Sequence, residues 1–444
     1  MRSLGFAKLS VINEETMRQR IVLWTLSLSL FIPGLAACET VRNAETRTVS
    51  ISKDQNATII LDEMQASLNG IETDEIRGIA ATEFTLALHA AGRDAQALET
   101  IRDAEQHISG ITDPTASLKA QLAFAEAYAK IGAIEDAEAM IETAERLLNF
   151  VETDLGRADL QGKLVKARAL AGDLKSALAR TGEMPEASST QSAFKARTYH
   201  DLAPLFSKAG DFETARRALS LATGMNYYQA TAYTDVAYLA RKSGQLDLAN
   251  TLLRDASDGA AKEENGYFRA AIYRHIADVY SSNGDETLAF ENFDQAASGA
   301  RQANSAQEQA RALSRIAVSM GDHGYFEQAI ALLDEAKEIS KDVEPGAFLH
   351  FVNYEIAGAY AFAGETEAAA ALIENLSQDP MADAMSLKSA AQRDLAFGLA
   401  RHGNTEQALR TALSIDTPRE RIQALHRLIL ILHSPKLKAF ARYP

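Results

Sequence analysis

The sequence predicts an all-α protein: an alpha-alpha superhelix, or solenoid, of about nine stacked helical hairpins. Three observations predict it. A glycine followed five residues later by an alanine recurs at Gly92/Ala97, Gly132/Ala137, Gly172/Ala177, Gly210/Ala215, Gly244/Ala249, Gly284/Ala289, Gly324/Ala329, Gly364/Ala369 and Gly403/Ala408. The intervals between those glycines are 40, 40, 38, 34, 40, 40, 40 and 39 residues, and a period of this size marks stacked supersecondary units. Composition agrees, because only 9 prolines and 25 glycines interrupt 444 residues, and the runs between them keep a helical apolar period.

One unit shows why each residue type is needed. Ile276, Ala277, Val279 and Tyr280 precede Gly284, and Ala289, Phe290, Phe293 and Ala296 follow it, each set at offsets that share one helix face. Glycine ends the first helix because it takes the left-handed conformation without a side-chain clash. The alanine five residues on lies one turn into the second helix, where a small side chain lets two helices approach. Another small residue lies seven before the glycine, at Ala125, Ala203, Ala237, Ala277, Ala317, Ala357 and Ala396, with Thr85 and Val165 in two other units. A third lies twelve after it, at Ala104, Ala144, Ala222, Ala256, Ala296 and Ala336. Four before the glycine the residue is often aromatic: Tyr128, Phe206, Tyr280 and Tyr360.

This order of small, aromatic, glycine and small positions resembles the tetratricopeptide repeat, over roughly residues 76 to 416. The resemblance implies a right-handed superhelix in which the first helix of each hairpin lines the concave surface. Only Gly210 to Gly244 keeps the family's usual 34-residue period. The other units therefore have longer helices or longer connections.

Taken in order, residues 1–37 read as an export signal: Arg18 and Arg20, an apolar run from Ile21 to Ile32, then Pro33, Gly34, Ala36 and Ala37. A start at Met17 would remove Glu14 and Glu15 from what should be a basic region. Leu35-Ala36-Ala37-Cys38 resembles the lipobox of bacterial lipoproteins, which implies lipid attachment at Cys38, the single cysteine of the chain. Glu39, where an aspartate would signal retention, implies an outer-membrane anchor with the body facing the periplasm. The alternative is a soluble periplasmic protein. Residues 38–56 are polar and read as the lipidated cysteine and its tether; residues 57–75, with Ile59, Ile60, Met64 and Leu68, read as an N-terminal cap helix, the second helix of a degenerate repeat. Residues 76–416 are the repeat array. Within it the third unit is the least regular: Val165 and Arg168 replace the alanine and the aromatic, and Gly182 and Pro185 shorten its second helix. Residues 417–444 read as a C-terminal capping helix opened by Pro418, followed by a basic tail.

No catalytic or cofactor signature is present: no phosphate loop, no His-Glu-x-x-His and no second cysteine. His426 and His433 lie seven apart with no third ligand, so no metal site is expected. The chain reads as a non-enzyme with no cofactor and no small-molecule substrate. With 60 acidic against 45 basic residues the net charge is −15, which argues against nucleic acid. The basic residues are not evenly spread. Groove-facing positions implied by the tetratricopeptide resemblance hold Lys119, Lys130, Arg197, His200, Lys208, Tyr238, Arg241, Lys242, Arg274, Arg311, Tyr354, Arg393, Phe397 and Arg401. Forked donors and flat aromatic surfaces suit capture of an acidic or C-terminal protein segment. The same side chains could instead bridge to acidic neighbours on adjacent helices. The expected function is a membrane-tethered protein-protein interaction scaffold of the bacterial envelope. The alternative is a periplasmic adaptor or regulator of an envelope hydrolase, or of secretion or polysaccharide machinery.

Overall fold

The computed structural model describes residues 53–222, 226–376 and 387–433. The expected signal segment, Cys38, most of the tether and the basic tail lie outside the described residues. Twenty helices and no strands are found among the described residues. Helix α1 (Lys53–Asn69) comes first and starts four residues inside the stretch read as tether. Nine hairpins follow: α2 (Asp74–Ala90) with α3 (Asp94–Ser109), α4 (Pro114–Lys130) with α5 (Ile134–Leu148), and α6 (Asp154–Leu170) with α7 (Leu174–Glu183). Next come α8 (Ser189–Lys208) with α9 (Phe212–Leu221), α10 (Asn226–Lys242) with α11 (Leu246–Lys262), and α12 (Gly266–Ser282) with α13 (Glu286–Arg301). Last are α14 (Ala306–Asp322) with α15 (Phe326–Ser340), α16 (Ala347–Ala363) with α17 (Thr366–Leu376), α18 (Leu387–Arg401) with α19 (Thr405–Leu413), and then α20 (Pro418–His433) alone.

The turn chemistry is repeated nine times. Every turn glycine has φ between 75° and 100°, a region that costs other residues about 1–2 kcal/mol. The amide just after it donates to the carbonyl five residues before it, as in Ala133 to Tyr128 at 2.9 Å and Glu365 to Tyr360 at 2.9 Å. That bond closes each first helix with a Schellman turn. The alanines five residues beyond the glycines are all 0 % exposed. The aromatic wedge links successive hairpins: the Tyr360 hydroxyl donates to Asp334 on α15 at 2.7 Å, and the Tyr128 hydroxyl to Glu105 on α3. In the third unit Arg168 takes over this link with Glu145 at 2.6 Å.

Each even-numbered helix packs against the next even one, and each odd helix packs on the first helix of the following hairpin. Two layers result. The even helices form the inner layer and the odd helices the outer one. Arg401 at the end of α18 reaches Asp322 at the end of α14, past the intervening α16. Only side chains on the inner side of a curve span two repeats this way.

The two stretches expected to cap the ends meet each other. Helix α20 packs against α18 and α19, as a next first helix should, but also against α1 and α2 at the other end of the chain. Helix α1 in turn packs on α2 in the manner of every other outer helix. The two presumed caps are thus the halves of a tenth hairpin. Ile60, Leu61 and Met64 of α1 and Ile422, Leu425, Leu428 and Ile429 of α20 are at most 2 % exposed. Each end of a solenoid exposes an apolar face, and here each end covers the other. One apolar core runs through this junction; a second spans α6 to α12, beginning at the irregular third unit.

Candidate functional site

Inner-layer charges fall into two kinds. On the arc formed by α12, α14, α16 and α18, together with Arg241 at its edge, arginines are held by carboxylates of neighbouring helices. Arg241 donates to Asp285 at 2.5 Å and lies over the Tyr280 ring. Arg274, buried, donates to Ser319 Oγ at 3.0 Å and faces Asp278 at 3.6 Å. Glu355 accepts from Arg311 and Arg315, each at 2.6 Å. Arg311 is also flanked by Tyr267 and Phe351, at 5.6 and 4.8 Å from the ring centres. Asp394 accepts from Arg393 at 3.2 Å and Arg427 at 2.8 Å. Arg393 further donates to Gln423 and to the Tyr354 hydroxyl. Burial, and then the Asp394 charge, push the Tyr354 phenol up to about 12. Arg401 is paired with Asp322. Tyr238 and Phe397 are 9 % and 2 % exposed, so both serve packing.

The arc formed by α4, α6, α8 and α10 differs. Lys119, Lys130, Arg197, Lys208 and Lys242 are exposed, and none has an ion-pair partner within 4.0 Å among the described residues. Lys242 rests on the Tyr238 ring at 4.7 Å. Lys130, Lys208 and Lys242 occupy the last turns of their helices, where a cation complements the helix dipole. The backbone therefore favours lysine there, yet leaves the ammonium groups directed to solvent. His200 sits among them, buried and stacked on Tyr228 with ring centres 6.5 Å apart. Burial pushes its imidazole down to about 4, against a smaller opposing effect of the Ala222 backbone. The ring is neutral at physiological pH.

The structure thus divides the fourteen groove residues. Five cations remain open to a partner, eight side chains are used within the fold, and His200 is a buried neutral group. For these eight the alternative reading, that groove side chains are used within the fold, often by bridging to acidic neighbours, is the one the structure shows, and the spacing carries a signal of it. Arg311 to Glu355 and Arg241 to Asp285 are both 44 residues apart, one repeat plus one helical turn.

Two smaller clefts flank Arg168 at the irregular third unit. One of about 270 Å³ is lined by Glu145, Leu148, Gln161, Val165 and Arg180 among others. The second, of about 230 Å³, is lined by Glu138, Glu142 and Asp173. His426 Nδ1 donates to Glu83 of α2 at 2.7 Å. Burial of Glu83 opposes its ionisation, but the His426 contact, with Lys130 and Arg419, holds the carboxyl below its usual range. No group of three or more His, Cys, Asp or Glu that could hold a metal occurs among the described residues. No helix among them is long and apolar enough to cross a membrane.

The chain is an all-helical repeat protein. No protein-family model matches it, and no curated protein matches it by sequence. Among solved structures it is similar to Ton1535 from Thermococcus onnurineus NA1, at 16% identity and TM-score 0.30, covering 85% of this chain and 98% of that one. It is similar also to a Rap protein complexed with Competence and Sporulation Factor, at 15% identity and TM-score 0.32, covering 81% and 99%. A third is the apo quorum sensor NprR from B. thuringiensis, at 12% identity and TM-score 0.30, covering 81% and 97%. Scores this low do not superpose whole chains, so the fold assignment rests on the helices of the chain itself.

Proposed function

We propose that the chain is a non-enzymatic, membrane-tethered scaffold of a bacterial envelope that holds an acidic segment of a partner protein on its inner layer. The observation that carries this reading is the set of four exposed cations without an ion-pair partner, Lys119, Arg197, Lys208 and Lys242, joined by Lys130, which acts on Glu83, in a protein of net charge −15. Elsewhere on the inner layer the arginines have been given carboxylates; these four cations have none within 4.0 Å among the described residues. Exposed cations attract an acidic segment at long range and donate charge-assisted hydrogen bonds at contact. The tether in this reading is a lipid-modified Cys38, supported by the resemblance of Leu35-Ala36-Ala37-Cys38 to a lipobox, and the outer-membrane side is supported by Glu39 through its resemblance to lipoprotein sorting signals.

Binding of a fluorescein-labelled, Glu-rich peptide of about twenty residues, followed by anisotropy, tests the site. Lys119→Glu, Arg197→Glu, Lys208→Glu and Lys242→Glu together should weaken it by at least a hundredfold, and the wild-type affinity should fall steeply with salt. Equal binding by the reversed variant removes the site from this arc. Fractionation of Cys38→Ala tests the address: loss from the membrane fraction is expected, and retention there contradicts the tether.

A further inference from the structure

Two helices of the open arc repeat one charge pattern. Lys119 and Lys130 on α4 are eleven residues apart, and so are Arg197 and Lys208 on α8. All four are exposed. Eleven residues make about three helical turns, so each pair shares one helix face at a separation of about 16–17 Å along the axis. That face looks inward: Lys130 and Lys208 stand two residues before their turn glycines, the register held by Asp322 and Arg401 where they meet past α16 on the inner side of the curve. Helix α6 packs between α4 and α8, which sets the two pairs about 16–20 Å apart across it.

Between its two cations each of these stripes carries an acid: Glu126 on α4, seven residues after Lys119, and Asp201 on α8, four after Arg197. The stripe of α6 between them differs, with Asp159 held by Lys163 at 2.6 Å and then Lys166. Charge therefore changes sign along the inner face of α4 and α8. The position of a partner's carboxylates matters there as well as their number.

We propose that the partner segment is itself an α-helix, lying along α6 between α4 and α8, with carboxylates eleven residues apart on one face. That the segment is acidic rests on the scaffold reading; that it is helical, and its register, rest on the spacing of the two pairs. A helix has the same rise per residue as the helices it lies against, so its residues i and i+11 reach both cations of a pair while facing one way. An extended chain does not match, because its same-face residues recur at every second position, at about 13 or 20 Å. The walls also offer an extended backbone little to bind. No strand edge occurs among the described residues, and α4, α6 and α8 contain no asparagine, whose amide would both donate to such a backbone and accept from it. A helix arrives with its backbone bonds already made. Its diameter of about 10–12 Å fits between the two pairs and leaves room for the lysine and arginine stems.

The test uses the full chain and three fluorescein-labelled peptides of about twenty residues, followed by anisotropy. The first is rich in alanine and glutamine and carries two pairs of glutamates, each pair eleven residues apart. The second has the same composition with each pair nine apart, which turns one member to the opposite face. The third is the first with two central residues replaced by proline, which breaks the helix. The first should bind at least tenfold tighter than either of the others, and its ¹³C-labelled form should show helical Cα shifts when bound. Lys119→Gln with Arg197→Gln removes one end of each pair and should erase the preference for eleven over nine. A preference that survives this double change would overturn the proposal, because the spacing would then be read elsewhere. Equal affinity for all three peptides, with binding still lost on reversal of Lys119, Arg197, Lys208 and Lys242, would overturn the helix and leave the scaffold reading standing. If none of the three binds, and the Glu-rich peptide does not bind either, both fail together.

Discussion

Two arcs of the inner layer carry the same residue types and use them differently. Along α12 to α18 arginines meet carboxylates: Arg311 and Arg315 at Glu355 on the next inner helix, Arg393 and Arg427 at Asp394, Arg274 at Asp278 on its own helix, and Arg401 at Asp322 two inner helices back. Along α4 to α10 Lys119, Arg197, Lys208 and Lys242 meet none within 4.0 Å among the described residues, and Lys130 acts on Glu83 of α2. Charge within the first set is internally cancelled and acts on stability. Charge within the second is left over and acts on whatever approaches. An inner-layer arginine is therefore not by itself a binding residue; the presence or absence of a carboxylate beside it decides its role.

Removing that compensation should give the largest stability effect. Asp394 is 7 % exposed and neutralises Arg393 and Arg427. Asp394→Asn leaves two guanidinium groups without a counter-ion, and a loss of about 3 kcal/mol is expected in denaturant unfolding. An unchanged midpoint would mean that the paired arc is not structural.

Acidification should act next, and on the open arc. His200 is held near 4 in the folded protein against an ordinary value of 6.5. Between those values the unfolded chain binds a proton that the folded one refuses, so stability rises with pH in this window. Lowering pH from 7 to 4 should cost on the order of 3 kcal/mol through this residue, and His200→Gln should flatten that part of the profile. An identical slope in the variant would assign the effect to other groups.

Glu355→Gln is a milder version of the first change, because Arg311 keeps its contacts with Tyr267 and Phe351. A loss of about 2 kcal/mol is expected in thermal unfolding. The smallest effect on folding belongs to the open arc. Reversing Lys119, Arg197, Lys208 and Lys242 should change stability by no more than about 0.5 kcal/mol per site, as urea unfolding would show, while removing peptide binding.

Much of this was legible in the sequence because it is local. The glycine turns, the buried alanines and the aromatic wedge each follow from what one hairpin needs; the first two recur in nine units and the aromatic in four. Closure was not legible, because it depends on the sum of small rotations between repeats and no single spacing records that sum. The ends nevertheless held a hint. The stretch around Ile60 and Met64 reads as a second helix without a first, and the stretch after Pro418 as a first helix without a second. The division of the inner layer was half legible. Its basic positions followed from the repeat, but a charge's partner mostly lies on another repeat. Arg168 shows the same limit: it looked like a defect in the third unit, and it makes the link to Glu145 that a tyrosine makes elsewhere.

The central claim is that the two arcs have separate tasks. The most direct measurement is the affinity of the Glu-rich peptide for two variants, each read at a temperature where circular dichroism shows it folded. One carries the four reversals on α4, α8 and α10; the other carries Glu355→Gln. The account predicts that the first, while folded, loses at least a hundredfold in affinity, and that the second melts earlier yet, while folded, binds as the wild type does. Wild-type binding by the first, or loss of binding by the folded second, would contradict it.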